Sequence, residues 1–406
     1  MKLAYLVARY PAVSQTFVVG EVLGLRRQGL DVQTLAIRRS PPDEVLSGRD
    51  REAFASTYTV LPPRPWHLLR AHVRALARGP KAYVSTFLHA LALGRLDLRA
   101  LLWQLFYFAE AMVVWGQCER REIRHLHVHF PNVAADVAML AARYGGDPWT
   151  YSMTLHGPNE LSDVRGHRLP EKVRRSAFTI CISHYTRSQV MNFVEREHWP
   201  KLPVVHCGID TERFVPSPDG ASRASSPTIL AVGRLDPRKG HGLLVEALGR
   251  LVAEGTDVRV VVVGEGPERG TLERLARDLG VSDRLVLPGA VGQDDIGSWF
   301  ASADVFRMPS LAEGLPVVLM EAMASGLPVV APRLMGIPEL VEDGVSGTLV
   351  TPGRADELAA ALTRQLADPK GRRRMGVAGR ERVVAEFQIG ECSRQVAELM
   401  RGVATP

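Results

Sequence analysis

The stretch that decides the fold is TILAVGRLDPRKGHGLLVEALGRLV, which occupies residues 228–252. It begins with a short, nearly continuous apolar run, continues through a basic loop at 233–240, and ends in the spacing of a helix predicted over 241–254. The N–H groups at a helix start favour an anion, and Arg234 and Lys239 would add charge-assisted hydrogen bonds. The pattern therefore predicts a strand, a phosphate-binding loop and a helix; the alternative is a basic surface loop.

A second motif, SLAEGLPVVLMEAMASGLPVV, occupies residues 310–330. Pro316 is predicted to be the first residue of a helix, which leaves Glu313 in the preceding loop and Glu321 one to two turns inside. Both carboxylates could then face one ligand, and Gly314 would let the backbone approach that ligand closely. The alternative makes Glu313 a capping carboxylate and Glu321 a solvated helix residue.

Strands and helices alternate along the whole chain, which predicts α/β architecture with parallel sheets. Further helices are predicted over 21–27, 268–279, 317–325 and 356–366. Strands are predicted over 2–7, 32–37, 125–130, 150–155, 178–182 and 204–205, and then over 228–232, 258–263, 285–287, 305–308, 329–331 and 348–350. The stretch 216–227 is rich in Pro and Ser and reads as a linker. We expect domains over 1–205 and 206–380, with a final helix over 381–406 that packs toward the first domain.

The composition agrees with a folded two-domain protein and excludes several classes. The chain has 406 residues, of which 46% are hydrophobic and 23% charged, and these values are ordinary for globular domains. The four cysteines form no CxxC pair, so neither a disulfide framework nor a thiolate zinc site is indicated. The apolar N-terminus stops at Arg9, too early for a signal-peptide core. We therefore expect a cytoplasmic protein.

Positive charge is concentrated in the N-terminal half. The net charge is +6, and residues 1–205 carry 27 basic and 17 acidic side chains. Within 61–100, Arg70, Arg74 and Arg78 share one helical stripe, as in an interfacial amphipathic helix. This segment predicts peripheral contact with an anionic membrane, the alternative being a solvated basic face; no motif for nucleic acid accompanies it. The apolar run 101–115 is too short for a confident membrane span and predicts a buried or interfacial helix.

Three motifs together resemble the family-four retaining glycosyltransferases. They are Gly-Arg-Leu-x-x-x-Lys-Gly at 233–240, the two glutamates separated by seven residues, and Gly264-Glu265-Gly266-Pro267. The resemblance spans essentially the whole chain and is densest over 206–352. It implies the GT-B fold, in which two Rossmann-like, doubly wound domains face each other across a cleft. The opening motif at 9–17, RYPAVSQTF, resembles the subset involved in exopolysaccharide and colanic-acid-type assembly.

The resemblance also implies roles for particular residues. Arg234 and Lys239 would hold the diphosphate of the donor, Glu321 its ribose, and Glu313 the transferred sugar. His156, in Thr-Leu-His-Gly, would lie near the sugar and phosphate, the alternative being a structural histidine. Further donor contacts are implied for Gly233, Gly264, Gly266, Gly314, Leu315, Pro316 and Ser14. The sequence departs from the family at Ser14-Gln15-Thr16, where many members have a glycine pair, and at Met335-Gly336, where Gly-Gly is common.

Two further patterns bear on cofactors. His125, His127 and His129 alternate along a predicted strand and so share one face, but no nearby carboxylate or thiolate is expected to complete a metal site. Gly264-x-Gly266 is followed by Arg269 where a dinucleotide fingerprint needs glycine, which argues against an oxidoreductase. We therefore expect neither a cofactor nor a metal.

The predicted function is transfer of a sugar, with retention, from a nucleoside-diphosphate-sugar to a hydroxyl of a sugar, lipid-linked or small-molecule acceptor. Two alternatives remain open: a nucleotide-sugar epimerase or sugar phosphorylase on the same scaffold, and a noncatalytic membrane-associated binding subunit.

Overall fold

The computed structural model describes residues 1–12, 15–42, 45, 47–62, 65–94, 97–216 and 226–404. The chain divides into two compact units, one formed by Met1–His206 with Cys392–Pro406 and the other by Cys207–Glu391. The sequence analysis placed the linker at 216–227, after this division, and residues 217–225 lie outside the described residues.

The first unit is built on a six-stranded parallel sheet with the order β3-β2-β1-β4-β5-β6. Its strands are β1 (Lys2–Tyr10), β2 (Asp31–Arg39), β3 (Tyr58–Leu61), β4 (His125–His129), β5 (Thr150–Leu155) and β6 (Thr179–Cys181). Sequence reasoning missed β3 and wrongly predicted a strand at 204–205, where Val204 forms only an isolated bridge to Cys181.

Helices pack against both faces of this sheet. They are α1 (Thr16–Arg27), α2 (Gly48–Ser56), α3 (Pro65–Arg78), α4 (Pro80–Gly94), α5 (Leu98–Glu119), α6 (Val133–Gly145), α7 (Pro158–Ser162), α8 (Leu169–Arg175) and α9 (His184–Met191). Among the described residues, α5 alone is long and apolar enough to cross a membrane by length and composition, and 44% of its most apolar window is buried inside the protein. Its buried part, Met112 to Cys118, packs into the core of the unit.

The second unit repeats this architecture. Its sheet has the order β12-β11-β10-β7-β8-β9, with strands β7 (Thr228–Val232), β8 (Arg259–Val263), β9 (Leu285–Gly289), β10 (Val305–Arg307), β11 (Val329–Pro332) and β12 (Thr348–Val350). The helices are α10 (His241–Ala253), α11 (Arg269–Asp278), α12 (Ile296–Ala301), α13 (Val317–Ala324), α14 (Ile337–Leu340), α15 (Ala355–Ala367) and α16 (Pro369–Glu386). All six strands predicted for this half of the chain are present.

Both sheets have the strand order of the Rossmann fold, so the prediction of two Rossmann-like domains is confirmed. The strands read as continuous apolar runs because helices cover both faces of each sheet. In β8, for example, Val260, Val261, Val262 and Val263 are all buried.

The last helix, α17 (Ile389–Ala404), begins in the second unit and belongs to the first from Cys392 on. Val396 and Met400 are buried in the same cluster as Val18 and Val22 of α1. The second unit ends at Glu391, eleven residues after the end expected at residue 380. No disulfide joins the four cysteines, all of which lie in the described part of the chain and are buried.

Candidate active site

The phosphate-binding loop predicted from the sequence follows β7, and the loop that carries Glu313 follows β10. These two strands pair in parallel, Val305 with Ile229 and Phe306 with Leu230, at the point where the strand order reverses. In open α/β sheets ligands bind beyond the carboxyl ends of the strands at such a point, because the loops of neighbouring strands diverge there. The topology thus brings both motifs to one ligand-binding edge of the second unit.

An ion pair joins the two motifs. Nζ of Lys239 donates to Oε1 of Glu313 at 2.6 Å, and the two side chains are 24% and 12% exposed. Lys239 ends the short 3-10 turn Pro237–Lys239, and Gly240 follows with a left-handed φ of 61°. A Cβ at Gly240 would lie 2.4 Å from the carbonyl oxygen of Pro309, so this turn packs directly on the neighbouring loop. Sequence reasoning assigned Lys239 and Glu313 to different parts of the donor and did not predict their contact.

Arg234, by contrast, extends into solvent. Its side chain is 69% exposed, and Nε lies 3.7 Å from Oδ2 of Asp236. The carbonyl of Arg234 is 3.1 Å from Nε2 of His241, the first residue of α10. Burial lowers the pKa of His241 to about 4. A neutral His241 therefore anchors the loop, while the Arg234 guanidinium remains accessible to an anion.

Gly264 and Gly266 have a packing role within the second unit. A Cβ at Gly264 would lie 1.9 Å from the carbonyl oxygen of Gly233, and one at Gly266 would lie 2.4 Å from that of Leu235. The N–H of Gly233 donates to the backbone carbonyl of Val263, and the N–H of Leu235 donates to the backbone carbonyl of Glu265. Glycine is required here because the loop after β7 lies directly against the loop after β8.

The loop before α13 presents backbone donors. The N–H groups of Gly314, Leu315 and Val317 have no acceptor among the described residues, although buried backbone donors are normally paired. Pro316 is the N-cap of α13, with ψ of 114°, and not its first helical residue as predicted. The helix consequently starts one residue later, at Val317. The amides of Gly314, Leu315 and Val317 therefore lie at its positive, N-terminal end.

Glu321 is buried inside α13, which excludes the solvated alternative. Burial raises its pKa to about 7, while a hydrogen bond from Gln293 and the charge of Arg213 act in the opposite direction. Nη2 of Arg213 also donates to the backbone carbonyl of Gln293 at 3.0 Å. The sequence analysis did not single out Gln293 or Arg213. Arg213 ends a short 3-10 turn, Thr211–Arg213, and Gln293 lies in the loop before α12.

Two more features of the second unit were not predicted. Arg307, in the central strand β10, is 3% exposed, and neither its Nε nor its Nη1 has a hydrogen-bond partner in the described part of the chain. Burial lowers its pKa well below the ordinary value. Met335 has a left-handed φ of 48°, the backbone conformation that glycine adopts most readily. The Met-Gly departure from Gly-Gly therefore does not exclude the left-handed turn.

His156 lies in the first unit, just after β5. Its ring packs between Phe17 and Phe130, with centroids 4.6 Å from each. Its backbone N–H and that of Gly157 donate to the carboxyl of Glu160, and burial raises the pKa of Glu160 to about 8. The motif at 9–17 thus reaches His156 through Phe17; Ser14, the donor contact expected in that motif, lies outside the described residues.

The three histidines of β4 lie on one face, as predicted, but the expectation that no carboxylate lies near them is wrong. Oε1 of Glu21, from α1, is 3.2 Å from Nε2 of His129. Glu21, His127 and His129 offer ligand atoms within 4.8 Å of one another. Both nitrogens of His127 already contact hydroxyls, those of Ser152 and Thr154. The hydrogen bonds of Glu21, His127 and His129 therefore form a side-chain network.

Comparison with known proteins finds similar sequences and structures. Residues 217–382, which include the Lys239 and Glu313 loops, match the family described as "Glycosyl transferases group 1". A putative colanic acid biosynthesis glycosyltransferase, WcaL of Salmonella typhimurium, is 27% identical over 99% of this chain and 100% of its own length. The chain is therefore similar to the group 1 glycosyltransferases, over most of its second unit and, more distantly, over its whole length. It is also 37% identical to a GDP-mannose-dependent alpha-(1-6)-phosphatidylinositol monomannoside mannosyltransferase of Mycolicibacterium smegmatis, over 54% of this chain and 61% of the relative.

The chain thus matches about three fifths of the length of this relative and of its counterparts in Mycobacterium tuberculosis. Two solved structures share the fold of the chain. Sucrose-phosphate synthase from Thermosynechococcus elongatus has a TM-score of 0.77 at 20% identity over 99% of each chain. HepE from Anabaena, solved in complex with UDP, has a TM-score of 0.74 at 19% identity over 99% of this chain and 100% of its own. These likenesses bear out the GT-B prediction.

Proposed function

We propose that this protein is a glycosyltransferase that moves a sugar from a nucleoside-diphosphate-sugar to an acceptor hydroxyl, with retention of configuration and without a metal ion. The observation that carries the proposal is the Lys239–Glu313 ion pair beside the unpaired amides of Gly314 and Leu315, at the switch point of the second sheet. A cation, a carboxylate and backbone donors at one sheet edge are the groups that a phosphate-linked sugar requires.

The chemistry follows from these groups. Departure of the nucleoside diphosphate is the costly step, and donors already directed at the developing negative charge lower its barrier. Lys239 and Arg234 would contact the diphosphate, and the amides before α13 would add hydrogen bonds to phosphate or sugar. The acceptor would attack from the face that the leaving group departs from, with a phosphate oxygen taking the proton. Retention would then need no protein nucleophile.

The two glutamates are proposed to act on different parts of the donor. Glu321, buried in α13, would accept hydrogen bonds from ribose, which changes little during the reaction, so Glu321→Gln should mainly raise donor KM. Glu313, in the loop, would orient the sugar as it gains positive charge, so Glu313→Gln should mainly lower kcat. Gly233, Gly264, Gly266 and Pro316 would shape the donor loops. His156 would lie near the sugar and phosphate, and Ser14 would contact the donor.

The relatives suggest where to begin. Because several similar proteins are GDP-mannose-dependent mannosyltransferases, we propose GDP-mannose as the first donor to test. The full-length similarity to WcaL favours a saccharide or lipid-linked saccharide acceptor in exopolysaccharide assembly.

The function is tested in two steps. Nucleotide-sugars are first screened by thermal shift, and donors that raise Tm are then incubated with and without saccharide acceptors. A glycosylated product that forms only with acceptor, and whose anomeric configuration by NMR matches the donor, supports the proposal. Epimerised donor without acceptor, or sugar phosphate formed with inorganic phosphate, would instead indicate an epimerase or a phosphorylase. Activity should persist in EDTA; activity that Mg²⁺ or Mn²⁺ restores would contradict metal independence.

We also propose that α3 contacts the anionic inner face of the cell membrane, so that the enzyme works as a peripheral cytoplasmic protein. The apolar side chains Trp66, Leu69, Val73 and Leu76 are exposed in one stripe along the helix. Arg70 and Arg74 are also exposed and form no ion pair with any described residue, whereas Arg78 pairs with Glu119 at 3.1 Å. Arg64 and Arg95 of this basic segment lie outside the described residues.

Sedimentation with phosphatidylglycerol vesicles tests this contact. Each engaged Arg contributes about 1 kcal/mol of binding free energy, so Arg70→Glu/Arg74→Glu should pellet much less than wild type, and salt should release the wild type. Arg277→Glu/Arg364→Glu, with two charge reversals in the second unit, is the matched control. Equal pelleting of the α3 variant and the wild type would refute membrane contact through α3.

A further inference from the structure

A chain of side-chain hydrogen bonds in the first unit connects Tyr5 to His156. The hydroxyl of Tyr5 donates to Oε1 of Glu21 at 2.5 Å, and Nε2 of His129 lies 3.2 Å from the same oxygen. Nδ1 of His129 lies 2.8 Å from Nε2 of His156. These four residues come from β1, α1, β4 and the loop after β5, and the network runs from the middle of β1 to the carboxyl ends of β4 and β5.

The remaining histidines of β4 belong to another set of contacts. His125 lies 2.8 Å from the hydroxyls of both Thr150 and Ser152, and His127 lies between Ser152 and Thr154. These hydroxyls can donate or accept, so they impose no direction on the imidazoles. Glu21 differs, since its carboxylate oxygen accepts hydrogen bonds from both Tyr5 and His129.

The position of each proton follows from this acceptor. Because Glu21 accepts, Nε2 of His129 must carry a hydrogen. With one proton on each ring, Nδ1 of His129 is then an acceptor, and Nε2 of His156 must donate to it. The proton of His156 is thereby held on Nε2, so its Nδ1 carries no hydrogen and can only accept a hydrogen bond.

We propose that Glu21 and His129 are positioning residues that fix the tautomer of His156, with Nε2 protonated. The functional meaning rests on the proposed function, in which His156 lies near the sugar of the donor: the tautomer sets the direction of any hydrogen bond between Nδ1 and a sugar hydroxyl, because an unprotonated Nδ1 accepts from the hydroxyl and a protonated one donates to it. In metal sites, histidines are oriented in the same way by the partner of their second nitrogen.

The surroundings of the two rings favour a fixed arrangement. His156 packs against Phe17 and Phe130, and the titratable groups that contact the His129–His156 pair include Glu21, which also binds Tyr5, and Glu160. Burial, and then the nearby His129, hold the pKa of His156 well below its ordinary value. Burial, and then Glu21, raise the pKa of Tyr5 well above its ordinary value, so the tyrosine remains a donor.

The test is ¹⁵N NMR of the full-length protein labelled at histidine, because protonated and bare ring nitrogens have well-separated shifts. His156→Asn assigns the resonances. Wild type should show His156 protonated at Nε2. In Glu21→Gln the side-chain amide can donate to His129 and reverse both hydrogen bonds, so the ratio of the two His156 tautomers should shift by roughly tenfold. His129→Asn should change this ratio as well, whereas the matched control His125→Asn should not.

A wild-type His156 protonated at Nδ1, or an unchanged ratio in Glu21→Gln, would overturn the proposal. The wild-type measurement needs no substitution, so it decides even if a variant fails to fold. Once a donor is known, Glu21→Gln should lower kcat by roughly 10- to 100-fold with little change in donor KM; an equal loss in His125→Asn would show a merely structural role and count against positioning. Failure to find any donor would refute the proposed function but would leave the tautomer result valid.

Discussion

The Lys239–Glu313 ion pair gives the sharpest prediction about the donor site, which a double-mutant cycle can measure. The variants are Lys239→Met, which keeps the length of the side chain without its charge, Glu313→Gln, and the two combined. In the protein the two groups lie 2.6 Å apart and are largely shielded from solvent. Each single variant therefore leaves a partly buried charge without its partner, and the combined variant does not.

The expected magnitudes follow from this geometry. A charge-assisted contact to phosphate is worth roughly 1.5–3 kcal/mol, so Lys239→Met should weaken nucleoside diphosphate binding by roughly 10- to 150-fold. Part of that loss arises because the Glu313 carboxylate then faces the anion without Lys239 beside it. Adding Glu313→Gln to Lys239→Met should therefore recover part of the lost affinity. The coupling free energy between the two substitutions should be about 0.5–3 kcal/mol, as found for residues in contact.

Titration calorimetry with GDP and with UDP is the assay, because neither ligand can turn over. Lys370→Met and Glu254→Gln, which change exposed residues of the second unit, control for the change in net charge. The reasoning fails if Lys239→Met binds both diphosphates as wild type does. It also fails if the combined variant binds no more tightly than Lys239→Met, since the pair would then not be coupled at the ligand site.

Three further predictions concern the stability of the second unit. Burial raises the pKa of Glu321 to about 7, so the folded state binds a proton that the unfolded state has released, and the free energy of unfolding falls by up to about 3 kcal/mol as pH rises from 4.5 to 7. Glu321→Gln lacks this titration, so its Tm should rise relative to that of wild type from pH 5 to 7. A constant difference in Tm would contradict this. Gly264→Ala would place Cβ 1.9 Å from the Gly233 carbonyl and should lower Tm by calorimetry, whereas Gly402→Ala, with nothing within 4 Å, should not; equal Tm values would refute the packing role. Arg307→Met should raise the free energy of unfolding by about 1–3 kcal/mol, because it removes a buried cation whose Nε and Nη1 lack partners in the described part of the chain; a destabilised variant would show that the guanidinium is satisfied.

Much of the second unit could be predicted from the sequence, because its strands and helices are marked by patterns of neighbouring residues. An apolar run, a loop bounded by glycine and a stretch with the hydrophobic spacing of a helix follow one another repeatedly. A strand that is buried on both faces needs a continuous apolar sequence, which makes it easy to recognise. The first unit was harder to predict. β3 is short and lies at the sheet edge, where only Val60 of its four residues is buried, so its sequence shows little alternation.

The sequence alone determined the α/β class, the two-domain organisation and the residue types that we propose to surround the donor. Tertiary structure decided which of these residues touch. Lys239 contacts Glu313 across 74 positions, and Glu21 lies beside His129 across 108. No local pattern records such distances, because neighbouring loops of a parallel sheet are brought together by strand order, and strand order depends on how distant segments pack.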